Sequence, residues 1–438
     1  MDLEKCHFPF PRRPAFDESI PCRRMSRIIE SISPARLGTS FRWLLASSWI
    51  SNVGDGIALA AGPLLVASQT HDPLLVALAA LLQRLPWLLF GLYAGVVADR
   101  LDRRLIVVVV NLLRAAVLVV LSLMIVTDAI NVGVVLIAMF VLGTAETFAD
   151  ITTSTLLPML VDKADLGISN ARLMVGYISA NQLAGPPIGA ALFAVGMAWP
   201  FATQATLLAL GAILVSRILA AKPTDVETHE RPRTQIAQGL RWLWNHPPVR
   251  TLTITIVSFN VTFGAAWSVL VLYADERLGL GEIGFGLLAT ASAVGGVLGS
   301  WAYGWIERRV SLGDIMRIGL IIETFTHLSL AITTVSVVAM VVLFLFGVHA
   351  AVWGTTATSI RHRAVPTEFQ GRVGSVYMMG VQGGLVVGAG IGGLIARAWG
   401  VTGPFWFAFV GSALILVVIW RALANIAHAD EHAPAPAR

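Results

Sequence analysis

Apolar stretches of about twenty residues, each closed by a charge, a proline or a glycine, recur along this chain from Phe41 to Ala422. A bilayer core takes roughly 20 residues of α-helix to cross. Inside it every backbone N–H and C=O needs a partner within its own segment, which a helix supplies and an open strand does not. The stretches fall at 41–67, 73–98, 104–126, 130–151, 169–194, 198–220, 250–273, 283–306, 313–333, 335–358, 369–397 and 401–423. Read as runs 1 to 12, they predict an all-α integral membrane protein with twelve transmembrane helices, multi-pass in the cell membrane. Composition agrees, because 13% of the 438 residues are charged, about half the share of a soluble protein.

The arginines predict an orientation. Six precede run 1, and the connections after runs 2, 4, 6, 8 and 10 carry Arg100, Arg103, Arg104, Lys163, Lys222, Arg231, Arg233, Arg241, Arg308, Arg309, Arg361 and Arg363. The odd connections carry only Arg277 and Arg397. Positive charge stays on the cytoplasmic side, so both termini and all even connections are expected there. Topology therefore accounts for the basic balance of the chain, and nucleic acid is not an expected partner.

The longest connection, 221–249, divides the chain into bundles 41–220 and 250–423 of six runs each. Its segment "TQIAQGLRWLWNHPP" sets Ile236, Leu240, Leu243 and Trp244 on one helical face, as an interfacial helix on the inner leaflet would. Residues 1–40 are basic and proline-rich with no apolar core segment, so they are expected to be a disordered cytoplasmic extension and no signal peptide; 424–438 is read as a cytoplasmic tail. Cys6 and Cys22 lack metal-ligand spacing and read as reduced thiols. The halves echo each other: "LPMLVDKADLGISNAR" follows run 4 and "AVPTEFQGRVGS" follows run 10, each with a proline and then an arginine, Arg172 or Arg372. Duplicated halves are a transporter pattern, with substrate bound near the midplane between them.

Two motifs sharpen this. Between runs 2 and 3 stands "GVVADRLDRR", in which Gly95, Val97, Ala98, Asp99, Arg100, Arg103 and Arg104 resemble the G-x-L-A-D-R-x-G-R-R/K signature of the major facilitator superfamily, with Asp102 in place of the second glycine. Run 5 holds "NQLAGPPIGAAL", where Gly185, Pro186 and Gly189 resemble the G-P-x-x-G core of the superfamily's antiporter motif, with Asn181 in place of its leading glycine. The stretch from Ser51 to Arg104 is most similar to the macrolide- and enterobactin-exporter branch of the drug:proton antiporters. The resemblance implies two pseudo-symmetric six-helix bundles, a gating role for Asp99 at the start of helix 11, and arginines that bond neighbouring helix ends. It also implies that helices 1, 4, 7 and 10 line the cavity. An arginine found in helix 4 of many proton-linked drug exporters is Met139 here. Glycines 380, 384, 388 and 392 line one face of run 11, a surface for close helix packing.

Ionisable groups inside a membrane are costly and need a partner or water. Asp55, Arg84, Arg114, Glu146, Asp150, Glu323, His327 and His349 all lie within runs. With the cavity helices implied by the resemblance, Asp55, Glu146, Asn260 and His349 are the candidates for the cavity and for proton coupling. Glu146 is equally open to an ion pair with Arg84 or Arg114, and the latter and Glu323 read as structural partners. Asp150 is expected to meet Arg100 or Arg103 at the helix end, within the gating group. Trp267 and Trp353 point to an amphiphilic compound.

No glycine precedes a lysine, which excludes a phosphate-binding loop, and H-E-x-x-H, G-x-S-x-G and C-x-x-C are absent. The expectation is therefore no enzyme, cofactor or metal site. It is a monomeric secondary transporter whose partners are a small-molecule substrate, protons and the lipid bilayer, working as a proton antiporter that exports. An importer or facilitator of the same fold, and a non-transporting sensor, are the alternatives.

Overall fold

The structure is a computed structural model that describes residues 35–219, 232–366 and 369–423. Apart from 35–40, the expected N-terminal extension and the C-terminal tail lie outside the described residues, as does 220–231 of the long connection. The described residues are helical in each expected run, and ten helices are long and apolar enough to cross a membrane.

In the first half these are α1 (Gly38–Gln69), α2 (Pro73–Arg100), α3 (Arg103–Val126), α4 (Val132–Leu156) and α6 (Trp199–Ser216). Between the last two lies α5, built of Leu166–Gly176, a π-helical stretch Tyr177–Ala184 and Gly185–Val195. In the second half α7 is Pro247–Trp267, continued by Leu270–Leu272 and a π-helical Tyr273–Arg277. It is followed by α8 (Glu282–Glu307), α9 (Leu312–Ile332), α10 (Ser336–Ala364), α11 (Gln370–Trp399) and the shorter α12 (Gly403–Ile419).

Local chemistry sets the helix starts. Free N–H groups of a first turn need an acceptor: Asp72 accepts from Leu74 N at 3.0 Å, Asn131 from Val134 N at 3.1 Å and Ser311 from Asp314 N at 3.1 Å. Asp102, the departure from the resembled signature, starts α3 in the same way, accepting from Arg104 N at 2.9 Å and Leu105 N at 3.3 Å. In α5, Pro186 and Pro187 cannot donate to the turn before them, and the helix widens to π geometry just upstream.

Each bundle repeats one packing scheme: α1 on α5 and α6, α2 on α4, and α3 on α4 and α6 recur as α7 on α11 and α12, α8 on α10, and α9 on α10 and α12. The bundles meet along α2 with α11 and α5 with α8. At the end where α2 begins, one apolar core spans both bundles and includes Ala77 of α2, Ala396 of α11, Ala190 of α5 and Phe285 of α8. At the decapeptide end the core splits, one part around Phe41, Val107, Leu156 and Ile218, the other around Leu252, Phe259, Met316 and Ile360. The contact glycines agree: Gly393 faces Ala77 and Leu74, Gly390 faces Leu81 and Gly383 faces Leu88, whereas among the described residues no atom of another element lies against Gly95, Gly371 or Gly374. The bundles are joined at one end and parted at the decapeptide end.

The connection segment forms a helix, Pro232–Asn245, as expected. Leu243 is buried with Val249, Val365 and Val373, while Leu240 and Trp244 are exposed. The helix docks on the start of α11, where Gly239 meets the Arg372 backbone and Trp242 stacks on Phe369 at 6.0 Å.

Candidate functional site

Asp55 stands in "Gly-Asp-Gly", and the two glycines decide what surrounds it. Gly54 lets Gln204 and Leu207 of α6 come up to the α1 backbone, and Gly56 lies against the Asn181 backbone and Gly185 of α5. Gly189 meets the Ile57 backbone one turn on. The run 5 motif therefore clamps α5 onto α1 at the acidic residue, since a side chain at Gly56, Gly185 or Gly189 would enter backbone.

From α3, Arg114 reaches this point with its side chain 4% exposed. Its Nη2 lies 2.6 Å from Asp55 Oδ1 and 3.9 Å from Glu146 Oε2 of α4. Gln204 Nε2 donates to the same Asp55 oxygen at 3.3 Å. Asp55 is 18% and Glu146 33% exposed, and Asp150 one turn further along α4 is open. The acids thus form a ladder from the cavity mouth to the buried arginine.

All of them line a cavity of about 340 Å³ with Arg84, Trp87, Tyr177, Asn181, Gln182, Met378 and Gln382. Its exposed members are Leu59, Arg84, Asp150, Tyr177 and Met378, of which Asp150 and Met378 lie on the decapeptide side of their helices. Three carboxylates and two guanidinium groups line this space, leaving one carboxylate without a compensating charge. The lining therefore carries one excess negative charge by count.

Other expected residues lie elsewhere. Asp150 is on the cavity wall instead of pairing with Arg100 or Arg103, because the decapeptide-side half of α4 turns that face to the gap between the bundles. His349 does not reach the wall; it is buried, with Nε2 3.5 Å from Glu323 Oε2 of α9. Asn260 turns back to the Ile256 carbonyl of its own helix at 2.7 Å, its Cβ against Gly384. Trp353 is packed in the C-terminal core, and Trp267 stacks with Phe263 and Phe346 at 4.6 and 5.5 Å. Glycines 380, 384, 388 and 392 pack on α7 within the bundle, while 383, 390 and 393 form the stripe that meets α2.

In the decapeptide, Arg103 donates through Nε to the Ala98 carbonyl at 2.9 Å and through Nη1 to Thr155 O of α4 at 3.4 Å. Arg104 Nη1 donates to Ile218 O beyond α6 at 2.7 Å. Arg100 is exposed, and the Asp99 side chain lies outside the described residues. Sequence reading missed Gln204, Gln83, Gln182 and Gln382, although an amide in an apolar run was the available signal.

The model of the family described as transmembrane secretion effector matches residues 29–437. The chain is 28% identical to the multidrug efflux pump Tap of Mycolicibacterium fortuitum over 80% of its own length and 87% of Tap. It is 25% identical to the enterobactin exporter EntS of Shigella boydii over 89% and 94%. Among solved structures, the nucleoside transporter NupG superposes with a TM-score of 0.69 at 12% identity, covering 89% of this chain and 99% of that one. A bacterial homologue of the iron transporter ferroportin, in an inward-facing state, superposes with a TM-score of 0.66 at 18% identity, covering 89% and 98%. The sequence motifs, the paired bundles and the family match agree: this chain is a multi-pass membrane protein that belongs to the transmembrane secretion effector family of the major facilitator superfamily.

Proposed function

We propose that this chain exports a small amphiphilic compound across the cytoplasmic membrane by proton antiport, as a monomer that alternates access between its bundles. The observation that carries the reading is the unequal charge count of the cavity, where Asp55, Glu146 and Asp150 face only Arg84 and Arg114. A cavity with one excess carboxylate holds either a proton or a cationic part of a substrate, and exchange of one for the other is antiport. Export rather than import is supported by relatives named for multidrug efflux and enterobactin export. The arginine distribution supports a cytoplasmic decapeptide end, so the parted end is the inward-facing mouth and the joined end the closed outer gate.

Glu146 is the exchanging group in this reading. It shares Arg114 at 3.9 Å, whereas Asp55 holds the same guanidinium at 2.6 Å. Glu146 is also the more exposed of the two, 33% against 18%, which is why the exchange is assigned to it. The test uses proteoliposomes with ethidium as the first probe of a panel of fluorescent amphiphiles. Glu146→Gln retains probe binding and loses accumulation driven by an imposed pH gradient, and Asp55→Asn is less affected in that coupling. A Glu146→Gln protein that still concentrates the probe against its gradient overturns the assignment.

A further inference from the structure

The internal repeat brings a second set of ionisable groups to the C-terminal counterpart of the Arg114 site. Arg104 opens α3 and bonds the Ile218 carbonyl at the end of α6; Arg317 near the start of α9 bonds the Trp420 carbonyl at the end of α12, at 3.2 Å. Ten residues beyond Arg104 stands Arg114, and ten beyond Arg317 stands His327. In α4, Gly143 packs on the Gln83 carbonyl of α2; in α10, Gly347 packs on the Ser292 carbonyl of α8. Glu146 follows the first glycine by three residues and His349 the second by two.

The second set is built and incomplete. His349 Nε2 lies 3.5 Å from Glu323 Oε2, and His327 follows Glu323 by one turn at 1% exposure. Neither ring nitrogen of His327 has a partner, and His349 Nδ1 and Trp353 Nε1 are also buried without one. Gly319 is what admits the His349 and Trp353 rings, since a side chain there would strike both. The facing stretches of the other helices bring little charge: residues 251–267 of α7, 283–306 of α8 and 403–419 of α12 contain no Asp, Glu, Lys, Arg or His, and Tyr303 is their one titratable side chain. Buried polar atoms without a protein partner are exceptions that ask for a functional reason. A plain packing role would have been met by apolar residues at lower cost.

We propose that Glu323, His349 and His327 form a second proton-loading site, in the C-terminal bundle. Glu323, with 12% of its side chain still accessible, takes the proton from hydronium onto a carboxylate oxygen, leaving water, and returns it to water on release. His349 lies against the carboxylate and changes that contact when the proton arrives. The Phe346 ring meets the His349 ring edge-on at 5.8 Å and lies on Phe263 at 5.6 Å, so the change reaches half-buried rings of α7. The proposal rests on the proton-coupled reading above but concerns different residues.

The test is pH-difference infrared spectroscopy of the full chain in lipid nanodiscs, read in the protonated-carboxyl stretch between about pH 5 and about pH 9. Wild type is expected to show a component lost in Glu323→Gln and a separate one lost in Glu146→Gln. His349→Gln, which leaves the carboxyl in place, moves the midpoint of the Glu323 component by about one pH unit or more. A purely structural pair keeps one protonation state across this range and gives no Glu323 component at all. A folded Glu323→Gln protein with a spectrum superimposable on wild type overturns the proposal. Should that variant not fold, an unmoved midpoint in His349→Gln overturns it equally. Loss of nothing in Glu146→Gln, with the Glu323 component present, sinks the N-terminal coupling assignment and leaves this site standing.

Discussion

Arg114 holds Asp55 at 2.6 Å and Glu146 at 3.9 Å with the same nitrogen, so two carboxylates from two helices compete for one buried guanidinium. Removing the arginine leaves both acids facing each other without their shared cation. Stranding one member of a buried pair costs about 3–5 kcal/mol. Arg114→Gln is therefore expected to unfold at a clearly lower temperature in detergent. Adding Asp55→Asn recovers part of the loss, since residues of one network are not additive. Thermal unfolding of the two single variants and the double variant measures this.

A packed glycine and an open one should behave oppositely. At Gly185 a side chain meets the Gly56 backbone, and overpacking of that kind costs about 1–3 kcal/mol. Gly185→Ala is expected to lower stability and disturb Asp55. Gly95 has open space before it, so Gly95→Leu keeps wild-type stability within about 0.5 kcal/mol. It still blocks transport, because the parted bundles have to close over that surface. Melting temperature and probe efflux, measured on both variants, separate the two effects.

Asp72 caps α2 and also reaches Arg397 of α11 at 3.8 Å across the joined end. The pair is largely exposed, and exposed pairs contribute about 0–1 kcal/mol. Arg397→Ala should raise the outward-open population by no more than about five-fold. Distance distributions between spin labels on α2 and α11 report it. Asp72→Ala has the larger effect on stability because it removes the cap as well.

The decapeptide's departure has its own test. Asp102 caps α3 through two N–H groups. Replacing such a cap by alanine costs about 1 kcal/mol, and by glycine a few tenths. Asp102→Gly is expected to be nearly neutral in thermal unfolding and Asp102→Ala measurably weaker. The aspartate and the signature's glycine are thus two solutions to one helix start.

Run length and arginine placement alone determined that this chain crosses a bilayer as helices, because hydrocarbon leaves the backbone no alternative. The two motifs were readable as well, since glycine and proline act through the backbone at their own positions. The partners of the intramembrane charges were not readable. Asp55, Arg114, Glu146 and Gln204 lie on four helices, and their meeting depends on how glycines at 54, 56 and 185 let α5 and α6 approach α1. Helical periodicity reports which face a residue shares, but not which neighbour that face will meet. For the same reason His349 went from an expected cavity wall to a buried pair with Glu323, and Asp150 from a helix-end partner to the cavity mouth. Only tertiary packing decided those two.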